Sequence, residues 1–132
     1  MAFSKIGIIG TGVIGEALIE VLLRSRLSKD SLFIAEKRGE RRDEIIKKYG
    51  VKELDQQLLL DAVLIAVKPQ DFLTTIKELP SSATDSALIV SFAAGIRIKA
   101  IEDNLAKGSR VIRVMPNTPM VMGAGMLSLI HI

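Results

Sequence analysis

The feature that most restricts what this chain can fold into is the run Lys5-Ile6-Gly7-Ile8-Ile9-Gly10-Thr11-Gly12-Val13-Ile14-Gly15-Glu16-Ala17-Leu18-Ile19. It reads as a buried strand (Ile6 to Ile9), a G-x-G-x-x-G turn made by Gly10, Gly12 and Gly15, and the opening of an amphipathic helix. Each glycine has its own physical task in such a turn. Gly10 permits the tight reversal, Gly12 lets the backbone approach a pyrophosphate with no Cβ in between, and Gly15 lets the helix lie close on the strand. The free N–H groups of the helix's first turn then face the phosphates. A glycine pattern alone is often only a turn; the strand before it and the helix after it make a dinucleotide phosphate site the expectation here.

Composition agrees with this start. At 132 residues, with 48% hydrophobic and only 4% aromatic content, the chain is expected to form one domain with a core of Ile, Leu, Val and Ala. It has no cysteine, which excludes disulfides, thiolate catalysis and cysteine metal sites, and the single His131 excludes a His-rich metal cluster. Glu16 and Glu20 interrupt the N-terminal apolar region before it can serve as a signal peptide or span a bilayer. A soluble, cytoplasmic protein with no membrane partner is the expectation. The net charge of +3 is mild and the basic residues mostly alternate with acidic ones, so nucleic-acid binding is not indicated.

Along the chain, Ile14, Ala17, Leu18, Val21 and Leu22 share one face of the first helix, which ends near Arg24 to Arg26. Ser31 to Ala35 reads as the second strand. Glu36 closes it, twenty-one positions after Gly15. An acidic residue roughly 20 positions on can accept hydrogen bonds from an adenosine ribose, whereas Lys37, Arg38, Arg41 and Arg42 offer guanidinium and ammonium groups for a 2′-phosphate. Both signals are present. The mixed charges up to Lys48 also describe the solvated face of a helix, with Lys37 and Arg38 in the turn before it. That second helix is expected to end on a left-handed cap at Gly50. Val51 to Leu54 then reads as a short strand, Asp55 to Leu60 as a helical turn, and Asp61 to Val67 as a central strand covered on both faces. Pro69 suits the first position of a helix carrying Phe72, Leu73, Ile76 and Leu79 inward. Ala87 to Phe92 is the next strand, Ile98 to Ala106 a helix, Arg110 to Val114 a strand, and Gly123 to Ile132 the start of another.

Strands alternating with helices predict an α/β fold with a doubly wound, mainly parallel sheet of the Rossmann-like kind. Ligands of such sheets bind beyond the carboxyl ends of the strands. Gly10 to Gly15, Glu36 to Arg38, Ala66 to Pro69, Phe92 to Gly95 and Met115 to Pro119 are therefore expected along one edge. Turn chemistry explains some of the small and helix-breaking residues there, but Asn117, polar and between two prolines, reads as a ligand contact.

Taken together, Gly10-Thr11-Gly12-Val13-Ile14-Gly15-Glu16-Ala17, Ala66-Val67-Lys68-Pro69-Gln70, Ser91-Phe92-Ala93-Ala94-Gly95 and Val111-Ile112-Arg113-Val114-Met115-Pro116-Asn117-Thr118-Pro119 resemble the N-terminal domain of pyrroline-5-carboxylate reductase. The resemblance runs over nearly the whole chain, and the last of these motifs is the most specific to that family. It implies NAD(P)H-dependent reduction of 1-pyrroline-5-carboxylate to L-proline, the last step of proline biosynthesis. It also implies that the backbone at Ile9, Gly10, Thr11, Gly12, Val13 and Ile14 holds the pyrophosphate, and that Glu36, Lys37 and Arg38 meet the adenosine ribose. Ala66, Val67, Lys68, Pro69, Ala93, Ala94 and Asn117 would lie along the nicotinamide half. The cofactor is expected to be NADP or NAD, with NADPH modestly favoured. Departures from the family pattern are Val13, where a polar residue is common, Arg97, where a helix-capping Thr or Ser is common, and the lack of an Asn near Asp55.

Members of that family continue into a helical domain that forms a homodimer or higher homo-oligomer and holds the substrate. Residues 1–132 are thus expected to be the NAD(P)-binding domain of a chain shortened on its C-terminal side, with Leu127 to Ile132 foreign to the family pattern. Hydride transfer to an imine needs mainly orientation and charge placement, because the cofactor carries the chemistry. No residue here is expected to be catalytic, and these residues alone are expected to be inactive. The alternatives are the nucleotide domain of a β-hydroxyacid dehydrogenase or of a deazaflavin-dependent NADP oxidoreductase, against which the Met115 to Pro119 loop argues, and a non-enzymatic dinucleotide-binding module.

Overall fold

Four apolar residues running straight into a glycine turn leave no polar face for solvent, so Ile6–Ile9 belongs in the middle of a sheet. The computed structural model, which describes residues 4–25, 27–55, 57–106 and 108–115, places it there. The elements are β1 (Ile6–Ile9), α1 (Val13–Arg24), β2 (Leu32–Ala35), α2 (Gly39–Tyr49), β3 (Lys52–Glu53), β4 (Ala62–Ile65), α3 (Pro69–Glu78), α4 (Ser81–Thr84), β5 (Leu88–Ser91), α5 (Ile98–Glu102) and β6 (Arg110–Arg113). The six strands form one sheet in the order β3-β2-β1-β4-β5-β6 with every pair parallel. This is the doubly wound order of dinucleotide-binding sheets, and its direction of winding reverses between β1 and β4.

Side chains alternate faithfully between two apolar layers. Ile6 and Ile8 of β1, Leu32 and Ile34 of β2, and Ala62 and Leu64 of β4 pack with Leu18, Ile19 and Leu22 of α1 and with Ile45 of α2. Ile9, Phe33, Val63, Ile65 and Ile89 pack on the other face with Phe72 and Ile76 of α3, Ala83 of α4 and Ile101 of α5. A period of two puts successive residues of a strand on opposite faces, so the continuous apolar runs are what a sheet with helices on both sides needs. The edges differ: β3 is an exposed Lys-Glu pair, and β6 shows both of its terminal arginines to solvent. Charges at these positions discourage pairing with another strand.

Local expectations are largely met. Pro69 occupies the first turn of α3, and α2 ends at Gly50 in the left-handed conformation with φ 71°. Asp55 and residues 57–60 are not helical. The Asp55 side chain accepts the Gln57 N–H at 2.9 Å and its carbonyl accepts the Leu58 N–H at 3.1 Å, a side-chain turn that competes with helix growth. α5 stops at Glu102 rather than Ala106, because the chain tightens into turns that pair Asn104 with Ile101 and Leu105 with Glu102. The short α4 had no periodic signal to announce it. Pro116 to Pro119, and the strand expected over Gly123 to Ile132, lie outside the described residues. No helix among the described residues is long and apolar enough to cross a membrane.

α1 approaches the end of β1 at Gly15. A Cβ there would sit 1.9 Å from the Gly10 carbonyl oxygen and 2.9 Å from its carbon. In an ordinary helix, replacing Gly by Ala gains about 1 kcal/mol. At this position the clash with backbone outweighs that gain. Gly15→Ala is expected to cost about 1–3 kcal/mol in a urea unfolding titration, as overpacking does; stability equal to or above that of the parent chain would show that the loop yields freely.

Candidate functional site

The carboxyl ends of β1, β2 and β4 open onto one groove of about 760 Å³. Ile9, Gly10, Thr11, Gly12 and Val13 form one wall, and Ile34 to Arg38 with Glu53 and Leu54 form the second. The third comprises Ala66, Val67 and Lys68 with the α3 face of Asp71, Thr75 and Glu78, then Leu79 and Pro80. Eleven of the residues anticipated from sequence therefore share this groove: Ile9 to Val13, Glu36 to Arg38, and Ala66 to Lys68. Five do not line it. Ile14 and Gly15 lie within the first turn of α1, Pro69 within that of α3, Ala93 is buried beneath the end of β5, and Ala94 is exposed beyond it. Asn117 lies outside the described residues. The sequence reading missed Asp71, Thr75 and Glu78. Their spacing along one helical face was the available signal, masked by the interleaved Phe72 and Ile76 that drew attention to the core.

The glycine loop is shaped by demands of two kinds. Gly10 has φ 90°, and a Cβ on it would meet Val67 Cγ1 at 2.9 Å and the Ala66 carbonyl oxygen at 3.0 Å, so the fold itself requires glycine. Nothing among the described residues asks for glycine at position 12. A Cβ built there finds no atom within 4 Å and would project into open space at the groove. Gly12 is also the N-cap of α1, with no side-chain hydrogen bond covering the helix start. An open backbone at an uncapped helix N-terminus, in a groove at a switch point, suits a phosphate.

Glu36 faces the glycine loop. Its Oε1 accepts the Thr11 N–H at 2.9 Å and the Thr11 hydroxyl at 2.7 Å, and its Oε2 accepts the Arg38 N–H at 3.1 Å. The Arg38 guanidinium adds contacts at 3.3 Å to each oxygen. Burial alone would push this carboxyl up, but the hydrogen bonds from Arg38 and Thr11 outweigh it and hold the group at about 2. The carboxylate side chain is 8% exposed, while the Arg38 side chain above it is 65% exposed. Lys37 pairs across the groove with Glu78 at 3.3 Å, both side chains being largely in solvent.

Arg41 and Arg42, counted above among possible phosphate partners, are placed otherwise. Arg41 donates through Nε to the Thr11 carbonyl at 2.8 Å and through Nη2 to Glu16 at 2.7 Å, and its Nη1 pairs with Glu44. Arg42 turns toward Asp43 and Glu53. Neither lines the groove. Glu16, in the first turn of α1, also accepts Lys48 Nζ at 2.8 Å and lies 2.6 Å from the Tyr49 hydroxyl. These hydrogen bonds, with those of Lys48 the strongest and Tyr49 and Arg41 following, hold Glu16 at about 2 despite partial burial.

A family model described as NADP oxidoreductase, coenzyme F420-dependent, matches residues 5–95, the span from β1 through the end of β5. The chain belongs to this family. Among curated relatives, the pyrroline-5-carboxylate reductase of Corynebacterium melassecola is 34% identical over 130 residues, covering 93% of this chain and 48% of its own. Among solved structures, a pyrroline-5-carboxylate reductase from Coxiella burnetii has a TM-score of 0.78 at 29% identity, over 90% of this chain and 46% of that one. The Plasmodium falciparum pyrroline carboxylate reductase, solved with NADP bound, has a TM-score of 0.67 at 22% identity, over 89% of this chain and 44% of that one, a likeness of fold alone. The chain spans about half the length of the curated relatives it matches. The resemblance drawn from the motifs is borne out, and the family is one of pyridine-nucleotide oxidoreductases.

The carboxylates of Glu16 and Glu36 also set how this site responds to acid. A carboxyl held below its unfolded value stabilises the fold fully above that value, and the contribution is lost as pH falls through the folded one. Both groups fall from 4.5 to about 2, so the loss is expected between these values. Glu16→Gln should be less stable than the parent chain at neutral pH and should show a shallower decline in unfolding free energy across that window. An identical pH profile for the two proteins would show that Glu16 is not held by its partners in solution.

Proposed function

We propose that residues 1–132 form the NAD(P)-binding domain of a pyrroline-5-carboxylate reductase, which reduces 1-pyrroline-5-carboxylate to L-proline in the last step of proline biosynthesis. The observation that carries the reading is Gly12, where open space at the groove stands in place of a side chain that nothing among the described residues would obstruct. The relatives named as this reductase add support, because their similarity extends past residue 95 where the family model stops. The description of the family model favours a second reading, the nucleotide domain of an F420-dependent NADP oxidoreductase.

In this proposal the backbone from Ile9 to Ile14 holds the pyrophosphate against the start of α1, while Gly15 keeps that helix close. Lys37 and Arg38 meet the adenosine ribose, over Glu36. Ala66 to Pro69, Ala93, Ala94 and Asn117 serve the nicotinamide half. When bound, the reduced nicotinamide supplies the hydride. The chain's own residues bind and orient it; none is assigned a proton transfer. Imine protonation, the substrate carboxylate and assembly into a cytoplasmic homodimer or higher homo-oligomer are assigned to the half that the longer relatives have and the match does not cover.

Gly12→Val puts a branched side chain into the open space over the loop and is expected to abolish NADPH binding in a calorimetric titration, with the fold intact by circular dichroism. Unchanged affinity would overturn the assignment of the loop. Cofactor choice turns on Arg38. With it in place, the Glu36 charge is compensated and both dinucleotides bind, NADPH modestly more tightly. Arg38→Ala removes a phosphate partner and uncovers a carboxylate, two effects of the same sign. NADPH should weaken by roughly tenfold more than NADH, and an equal loss would mean that Arg38 does not read the 2′-phosphate. Finally, an NADPH-oxidation assay with 1-pyrroline-5-carboxylate on the 132-residue protein is expected to show no turnover, because positioning the substrate against the nicotinamide is worth about 7–11 kcal/mol of barrier. Robust turnover would place a complete substrate site within these residues.

A further inference from the structure

Thr11, between the first two glycines, is fully buried. Each of its polar groups is held by a charged side chain, from Glu36 just after β2 or from Arg41 in α2. The N–H and hydroxyl donate to Glu36, at 2.9 and 2.7 Å, and the carbonyl accepts from Arg41 Nε at 2.8 Å. A peptide unit is planar and trans, so its C=O and N–H point in opposite directions. Glu36 therefore fixes the Gly10–Thr11 peptide through its N–H. Arg41 fixes the next one, Thr11–Gly12, through its C=O, which turns the Gly12 N–H away from α2. Glycine on either side of Thr11 leaves these planes free to rotate unless something holds them.

Arg41 is itself firmly held. Its side chain is 21% exposed, its Nη2 lies 2.7 Å from Glu16, and Glu16 is in turn bound by Lys48 and Tyr49. Its guanidinium therefore has Nε, Nη1 and Nη2 all engaged within the protein, and it does not line the groove. We propose that Arg41 is a positioning residue for the glycine loop: braced by Glu16, it pins the Thr11 carbonyl and so presets the Gly12 N–H for a dinucleotide pyrophosphate. This rests on the reading of the loop given under Proposed function. A 2′-phosphate reader would act on one cofactor, and a plain staple between α1 and α2 would act on stability everywhere; a loop clamp acts on the part that NADPH and NADH share.

The experiment has two arms on the full 132-residue chain. In the first, NADPH and NADH are titrated into the parent, Arg41→Met and Arg41→Lys. Arg41→Met should weaken both by about tenfold, the typical weight of one charge-assisted hydrogen bond, with their ratio unchanged. Arg41→Lys, which keeps the charge beside Glu16 but not the fork, should fall between. Loss confined to NADPH, or no loss at all, overturns the proposal. In the second arm, hydrogen exchange is followed in the ligand-free proteins. Faster exchange confined to residues 10–13, with Ala62–Ile65 of β4 unchanged, supports the clamp; unchanged or uniformly raised exchange overturns it. If the parent binds neither dinucleotide, the functional reading fails while the exchange arm still decides whether Arg41 fixes the loop. Should Arg41→Met not fold, Arg41→Lys carries both arms.

Discussion

How closely α1 can lie against the end of β1 sets the shape of everything around the groove. The first turn of the helix touches the Gly10 carbonyl so tightly that a single carbon on Gly15 has no room. That contact brings the uncapped helix start to the level of the strand ends, instead of a turn above them. It also explains a glycine in a helix, where the residue costs about 1 kcal/mol relative to Ala. The loop between the two elements must then be extremely short, and only a residue at positive φ closes it, which is the role of Gly10.

A loop this short has few internal contacts, and the chain compensates with charge. α2 buries only Ile45 completely, so apolar packing holds it weakly against the sheet. Its polar links to α1 and to the loop are correspondingly dense: Arg41, Lys48 and Tyr49 all converge on Glu16. Exposed ion pairs contribute little, and the outlying contacts of Arg42 and Lys37 belong to that class. The Arg41–Glu16 pair is different, since both partners are about one-fifth exposed and each is hydrogen-bonded further. Side chains that a sequence presents as the wet surface of a helix thus become part of the architecture of a loop.

The chain order, the parallel sheet and its two-sided core were legible because they follow from periodicity and from the length of the apolar runs. Asp61 to Val67 could only be a central strand, and β4 is one, buried at all four residues. The glycine motif located the site for the same reason: its residues answer to backbone geometry, which sequence encodes directly. What stayed hidden depended on side-chain direction. Nothing in the spacing of Glu36 says whether its carboxylate points into the groove or to the protein, and it turns toward Thr11 because a buried N–H and hydroxyl there need an acceptor. Likewise the run from Lys37 to Lys48 does not reveal that Arg41 reaches the Thr11 carbonyl while Arg42 turns toward Asp43 and Glu53. Asp55 appears helical by neighbourhood, yet its side chain caps its own turn.

One fastening bears on how the molecule comes into being. The Asp61 carboxylate accepts hydrogen bonds from the Ser4 N–H at 2.9 Å, the Ser4 hydroxyl at 2.8 Å and the Lys5 N–H at 2.8 Å, so the start of β1 is tied to the start of β4 across 56 positions of chain. Of the six described strands, the one synthesised first is thus a central one. It can pair on one side with β2 early, but its other side has no neighbour until β4 emerges. Parallel pairs need a whole crossover between them, and such distant closures are slow. For that interval of synthesis a fully buried apolar strand has an open edge, and the nascent chain is vulnerable to wrong pairing just when its glycine loop is already complete.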